Sequence, residues 1–254
     1  MSSFLINPVS PDAEFARIIG SEAQHAIRVM RVRSGDAVRL FDGAGMSFRA
    51  TVSDTDRESV TCAITERLPE SGEPTVKVTL AAAVIKTDRF ESLVEKATEL
   101  GVDAVWPLES DNSVVRAPSD NKRRRWRAIA ESAAGQCLRS RIPQIVDPQT
   151  LDGVIARRSE FDAAFVAWER QTTGSLDTAT LDSCKRILLV VGPEGGFTSE
   201  EIARLESVDI TPVTLGARRL RTETAAIALL TLTMQRAGEF SRTAYGAYSH
   251  TESD

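Results

Sequence analysis

The chain has 254 residues, of which 42% are hydrophobic and 26% charged, the balance of an ordinary globular protein. Its formal charge of −5 excludes a protein that coats nucleic acid by bulk attraction, so contact with a polyanion must come from local basic patches. Three scattered cysteines (Cys62, Cys137, Cys184) and two histidines give neither a disulfide framework nor zinc-ligand spacing, which points to reduced thiols, a cytoplasmic setting and no metal.

Residues 1–10 lack the basic segment and apolar core of a signal peptide. The longest apolar stretches, around 80–85 and 225–230, are too short to span a bilayer. Ser21 with Gln24 reads as a capping box, predicting a helix with Ala23, Ala26, Ile27 and Met30 on its inner side. After a turn at Gly35-Asp36, residues 37–41 alternate as a strand, Asp42-Gly43-Ala44-Gly45 forms a hairpin loop, and 47–52 return. A further strand is expected at 59–65. Short strands around one helix predict a small β-barrel-like module over residues 1–72. The segment Leu68-Pro69-Glu70-Ser71-Gly72-Glu73-Pro74 then reads as a boundary, with a second domain over 73–254. The module carries Arg17, His25, Arg28, Arg31, Arg33, Arg39 and Arg49, yet holds eight Lys or Arg against ten Asp or Glu through Gly72.

Beyond Pro74 strand and helix patterns alternate: an apolar strand at 76–85, an amphipathic helix at 90–100 closed by Gly101, and a strand at 102–108. Such alternation predicts an α/β fold with a parallel sheet flanked by helices. Residues 116–141 hold eight Lys or Arg and two Asp or Glu, a local charge of +6, with a helix beginning at Lys122-Arg123-Arg124-Arg125 and running to about Cys137. A basic face beside a reactive site suits the phosphates of a folded RNA, although solvated basic helix faces are common. Residues 161–169 read as another strand, ending in a polar turn at 170–174.

Residues 187–225 contain one plan twice: a short apolar run, a glycine turn and a helix start. The first copy is the strand 187–191, Gly192-Pro193-Glu194-Gly195-Gly196-Phe197, and a capping box of Thr198 with Glu201. The second is Pro212-Val213-Thr214-Leu215, Gly216-Ala217-Arg218-Arg219-Leu220-Arg221, and a helix opening at Thr222-Glu223. Two such loops side by side make a ligand crevice at the carboxyl edge of the sheet. Neither nucleotide-binding glycine pattern is present, and Glu194 would set a carboxylate against a phosphate. The helix at 223–237 is apolar nearly all round, so it is either deeply buried or part of a subunit interface. Residues 240–254 read as a mobile tail.

Gly192-Pro193-Glu194-Gly195-Gly196-Phe197-Thr198 followed by Leu215-Gly216-x-Arg218-x-Leu220-Arg221-x-Glu223-Thr224-Ala225 resembles the paired motifs of the SPOUT methyltransferases. Within them it is most similar to the RsmE type, which methylates N3 of a uridine in 16S ribosomal RNA. His25-x-x-Arg28-Val29-x-Arg31, Lys86 with Arg89, Glu99-Leu100-Gly101-Val102, and Gln136, Arg139 and Pro143 fit the same family. The resemblance implies a C-terminal trefoil knot near 187–237, an N-terminal PUA-like RNA-binding domain, a homodimer, and 16S rRNA in the small subunit as partner. It also implies S-adenosylmethionine held by Trp168, Gly192, Pro193, Glu194, Gly195, Gly196, Leu215, Gly216, Leu220, Arg221, Thr224 and Ala225. Arg28, Arg31, Arg33, Arg123, Arg124, Arg125 and Arg139 become the expected RNA contacts. Uridine N3 is protonated at neutral pH, so the site must remove that proton or stabilise the anion. Arg221 is the candidate cation, and Glu194 and Glu223 are candidate bases, each also suited to stabilising a turn or a helix start. A SPOUT enzyme acting on another RNA such as tRNA, and a non-catalytic RNA-binding protein of this fold, remain as rival readings. Intact glycine loops count against the second.

Overall fold

The computed structural model describes residues 1–113, 118–171, 176, 181 and 183–241. Arg116, most of the polar turn at 170–174, and the tail beyond 241 therefore lie outside the described residues. The chain divides into two compact units: Met1–Glu73 with Glu131–Ile142, and Pro74–Ala130 with Pro143–Asp254. A single cut at the linker had assigned residues 131–142 to the second domain, but they pack with the first unit.

The first unit is a five-stranded sheet. Its strands are β1 (Ser2–Leu5), β2 (Phe15–Ile19), β3 (Ala37–Phe41), β4 (Met46–Thr55) and β5 (Ser59–Pro69), in the order β1-β3-β4-β5-β2. β1 runs parallel to β3, and the other pairs are antiparallel. Register shifts at Arg49/Ala50 and Val52/Asp54 bend the long β4–β5 ribbon, as bulges do. The inward residues Phe4, Ile18, Leu40, Phe48, Val52 and Val60 close one core with Ala23 and Ala26. The expected Ser21-capped helix differs from prediction. Helix α1 spans Gly20–Gln24 with Ile19 at its N-cap and no side-chain cap, and it widens into a π-helical turn at His25–Val29. The wider turn shifts the helical period, leaving Ala23 and Ala26 buried while Met30 is 45% exposed.

A buried ion pair fastens residues 131–142 to this unit. Arg139 Nη2 donates to Glu73 Oε2 at 2.8 Å, and the two side chains are 4% and 5% exposed. Glu73 Oε1 also accepts the backbone N–H groups of Ser140 (2.9 Å) and Arg141 (2.8 Å).

The second unit contains β6 (Lys77–Ala83), α2 (Thr87–Glu99), β7 (Ala104–Glu109), the first part of α3 (Asp120–Gln136), β8 (Gln144–Ile145), β9 (Gln149–Thr150) and α4 (Leu151–Ala156). It continues through β10 (Ala163–Ala167), β11 (Arg186–Val191), α5 (Ser199–Glu206), β12 (Thr211–Val213) and α6 (Thr222–Arg236). The sheet order is β12-β10-β11-β6-β7-β8, with β9 pairing β7, and every pair is parallel. Strand β11 is the one the apolar run predicted. Ile187 to Val190 are fully buried and Val191 is 2% exposed. Leu188 and Val190 pack with α4 and α5 residues Val154, Ile202 and Leu205. The alternate residues face the other side of the sheet, where α6 packs on β6 and β11 and against α2. α2 ends where Gly101 takes φ +90°, its N–H bonded to Thr98 O at 3.0 Å; a Cβ there would lie 2.5 Å from Pro74 Cγ. Phe240 and Ser241, at the start of the stretch read as a mobile tail, complete a 3-10 turn with Glu239, whose carboxylate accepts the Thr75 N–H at 2.8 Å. No described helix is long and apolar enough to cross a membrane.

Removing one partner of a buried ion pair leaves the other charge uncompensated, so Glu73→Ala should lower unfolding free energy by about 3–5 kcal/mol in urea titration. Glu66→Ala, which breaks the exposed Arg49–Glu66 pair (41% and 46% exposed), should cost less than about 1 kcal/mol. Equal effects would show that Glu73 does not anchor residues 131–142.

Candidate functional site

The site arises from register. Ala167 pairs with Val191 on one side and with Val213 on the other, so three adjacent parallel strands end in one row. Their loops leave the same carboxyl edge: residues 168–171 after β10, 192–197 after β11, and 214–221 after β12.

These loops and the start of α6 line one crevice. Of the residues expected to hold the cofactor, Trp168, Gly192, Pro193, Gly196, Leu215, Gly216, Leu220 and Ala225 line it. Glu194, Gly195, Arg221 and Thr224 do not, and each has a local reason. The Glu194 carboxylate turns to Arg89, whose Nη1 donates to it at 2.9 Å. Gly195 faces Asn112, where an added Cβ would lie 3.0 Å from Asn112 Cβ. Arg221 and Thr224 are exposed, Arg221 as the N-cap residue and Thr224 on the outer side of the first turn of α6. Ala167, Glu169, Val191, Phe197, Arg218 and Thr222 also line the crevice and were missed. Arg218 and Thr222 lay inside the motif and Glu169 beside Trp168, but only the fold shows which way each points.

Bonds between loops hold this edge together. Thr222 Oγ1 donates to Gly192 O (3.0 Å), Asn112 Nδ2 to Gly196 O (3.0 Å) and Arg219 Nη2 to Glu194 O (3.1 Å). The capping box forms as read: Glu201 N donates to Thr198 Oγ1, and Glu201 Oε2 accepts Thr198 N at 2.8 Å. Glu201 is 3% exposed, and its other oxygen accepts Asp111 N at 3.1 Å, which ties the β7 loop to the first glycine loop. Arg89 also approaches Glu223, Nε to Oε1 at 3.8 Å, so one guanidinium from α2 spans a carboxylate of the first glycine loop and one in the first turn of α6.

Several features fit a flat ligand carrying positive charge. Gly216 takes φ +94°, a backbone conformation that leaves room for close approach. The Trp168 indole N–H is buried without a partner among the described residues, a donor that a bound ligand would satisfy. The Glu169 carboxylate lies against Gly196, where an added Cβ would meet Oε1 at 2.5 Å. It offers acceptors to hydroxyl or ammonium groups. Among the described residues no cluster of three or more His, Cys, Asp or Glu could hold a metal.

The expected RNA contacts separate into two groups. Arg28, Arg31 and Arg33 are exposed and have no side-chain ion pair or hydrogen bond among the described residues. Arg17, Arg39 and Arg49 are engaged by Ser59, Ser47 and Glu66. On α3, Arg123 is paired with Asp120 and with Asp147 (3.3 Å), Arg125 with Glu91 (2.7 Å), and exposed Arg124, among the described residues, bonds only Asn121 Oδ1. Acidic residues from elsewhere in the unit thus offset part of the local +6. Arg139 is corrected outright: buried and held by Glu73, its guanidinium has no face for a phosphate.

Comparison with known proteins agrees with this architecture. The RNA methyltransferase domain family matches residues 72–234, and the RNA methyltransferase PUA domain family matches 18–65. Ribosomal RNA small subunit methyltransferase E of Bacillus subtilis is 33% identical over 219 residues, covering 83% of this chain and 86% of the relative. The protein of that name from Mycobacterium bovis is 34% identical over 236 residues, covering 89% and 88%. The crystal structure of the Neisseria gonorrhoeae ribosomal RNA small subunit methyltransferase E bound to S-adenosyl methionine superposes with a TM-score of 0.82 at 25% identity, covering 92% of this chain and 97% of that one.

Glu201→Ala would remove the charged acceptor that the partly buried hydrogen bonds from the Thr198 and Asp111 N–H groups share, and the expected loss of stability is roughly 1–3 kcal/mol. An unchanged unfolding midpoint would contradict its role in joining the loops.

Proposed function

The chain belongs to the RNA methyltransferase family that includes ribosomal RNA small subunit methyltransferase E, and on that premise we propose that it methylates N3 of a uridine in 16S rRNA. It is an S-adenosylmethionine-dependent ribosomal RNA methyltransferase. The observation that carries the reading is the row Ala167, Val191 and Val213, from which both motif loops and the Trp168 loop open into one crevice.

Bound S-adenosylmethionine supplies a methyl group made electrophilic by its sulfonium. Gly192, Pro193, Gly196, Leu215, Gly216, Leu220 and Ala225 form the walls that hold it, with Trp168 giving an N–H and Glu169 an acceptor. Glu194, Gly195 and Thr224 frame the loops from outside. The protein must align the N3 lone pair with the methyl group, and such alignment supplies much of the rate. Glu223 accepts the N3 proton and Arg221 stabilises the charge that develops on the uracil. Support for Glu223 is its Oε2, buried without a partner among the described residues. Support for Arg221 is its place between Leu220 and Thr222, both crevice residues, with its side chain exposed.

The first unit acts as the RNA-binding domain through Arg28, Arg31 and Arg33, and Arg123, Arg124 and Arg125 add contacts from the second. The assembled small subunit is the substrate and the cytoplasm the setting. The chain near 187–237 is threaded as a trefoil knot, a reading supported by its course from β11 out to edge strand β12 and back through α6 onto β11. The protein is a homodimer joined through α6, whose outer side carries Leu232, 41% exposed, beside half-buried Ile227 and Ala228.

Nucleoside analysis of 16S rRNA methylated by the purified protein tests the reading. The expected product is 3-methyluridine; methylation of ribose, of another base or of tRNA alone would overturn it. Arg221→Ala should lower turnover by ~100-fold, as loss of one oxyanion donor does, with cofactor affinity nearly unchanged. Parallel losses of both would make Arg221 a brace of the loop. Replacing Arg28, Arg31 and Arg33 together by Ala should reduce the dependence of RNA affinity on log salt concentration by about 2, at ~0.7 per phosphate contact. An unchanged slope would remove these residues from the interface.

A further inference from the structure

A second concavity adjoins the crevice on the carboxyl edge of the sheet. It is an open depression between the β10 and β12 loops, walled by Arg170, Gln171, Thr214, Arg218 and Arg219. Glu169, Gly216 and Arg218 line both concavities, so the two share a wall. The Arg218 guanidinium folds over Gly216: a Cβ built on that glycine would lie 3.7 Å from Nη2 and meet nothing nearer. Arg219 is held by the Glu194 carbonyl at 3.1 Å. Arg170 and Arg218 are exposed and have no side-chain partner among the described residues. Glu169 is the one carboxylate in the lining. It is drawn toward Gly196, which belongs to the crevice and not to the depression. The depression therefore presents uncommitted positive charge next to the crevice proposed to hold the cofactor.

An enzyme that modifies a base must take that base out of its stack and hold it in a pocket. The displaced nucleotide brings its flanking phosphates to the rim, where planar guanidinium forks bind them through paired N–H groups. We propose that this depression is the target-nucleotide site, in which Arg170 and Arg218 grip the phosphates flanking the extruded nucleotide while its base passes over Gly216 toward the crevice. This assignment rests on the reading of the protein as a base methyltransferase acting on RNA. It adds a contact surface separate from the arginines of α3 and of the first unit. Its two cations differ in a useful way, because Arg218 lines the crevice as well and Arg170 does not.

The test uses the full-length protein and small ribosomal subunits whose 16S rRNA is unmethylated. RNA binding is titrated against potassium chloride with S-adenosylhomocysteine present, for wild type, Arg170→Ala and the double variant Arg170→Ala/Arg218→Ala. The expected salt slope falls by ~0.7 for each arginine removed, and KM for RNA rises ~10-fold in the double variant. For Arg170→Ala, S-adenosylmethionine affinity stays at the wild-type value, and turnover at saturating RNA stays within about threefold, the signature of lost ground-state binding. Wild-type slope and KM in both variants would overturn the proposal. So would weakened cofactor binding with an unchanged RNA slope in the double variant, which would assign Arg218 to the cofactor. Failure of the wild type to methylate these subunits would instead overturn the functional reading beneath it.

Discussion

Everything at the functional edge depends on the parallel pairing that sets Ala167, Val191 and Val213 in one row. Parallel strands release their loops at the same edge, and a shared register releases them at the same level. A one-residue slip of β12 against β10 would move Leu215 and Gly216 by about 3.3 Å, enough to part the two glycine loops. It would also turn every β12 side chain to the opposite face. The register is held from below by β11, whose five apolar residues are buried at 0–2% exposure between helices on both faces. Burying each such side chain contributes about 1.5–3 kcal/mol, so the strand is fixed far more strongly than any contact in the loops.

Above that row the loops hold one another through polar bonds that reach from one loop to the next. Thr222 satisfies the Gly192 carbonyl, Asn112 that of Gly196, and Arg219 that of Glu194. These carbonyls belong to a glycine-rich turn with few side chains to pack, so hydrogen bonds from neighbours replace packing as the source of order. Arg89 works at the rim, where its exposure of 31% makes each ion pair modest but its two partners lie on different elements, the first glycine loop and the start of α6. A rigid strand row with polar bracing above it suits a reaction that needs alignment more than strong acid or base chemistry.

What the sequence made legible was local. The run at 187–191, the Thr198–Glu201 capping box and the helix start at Thr222 are written in adjacent residues, and all three form. Strands β1 and β2 escaped notice because β1 opens on two serines and the outward positions of β2 carry the apolar Phe15 and Ile19, so neither shows the alternation of a half-buried strand. The π-helical turn after α1 escaped as well, since a capping pattern does not reveal a later change of helical period. Within the site, the motif located the loops but not the direction of each side chain. Arg218 folds over Gly216, Glu194 is drawn out by Arg89 from 105 residues away, and Gly195 faces Asn112. The arginines teach the same lesson. Arg28 and Arg139 look alike in a charge count, but the second is buried against Glu73, a partner 66 residues away.

On the proposed function, three loops from three strand ends hold one cofactor. Hydrogen–deuterium exchange of the protein with and without S-adenosylmethionine measures this most directly. Added protection is expected in residues 168–171, 192–197 and 214–225 together, rising with the same cofactor dependence. Protection confined to one of these loops, or centred away from the carboxyl edge of the sheet, would contradict it.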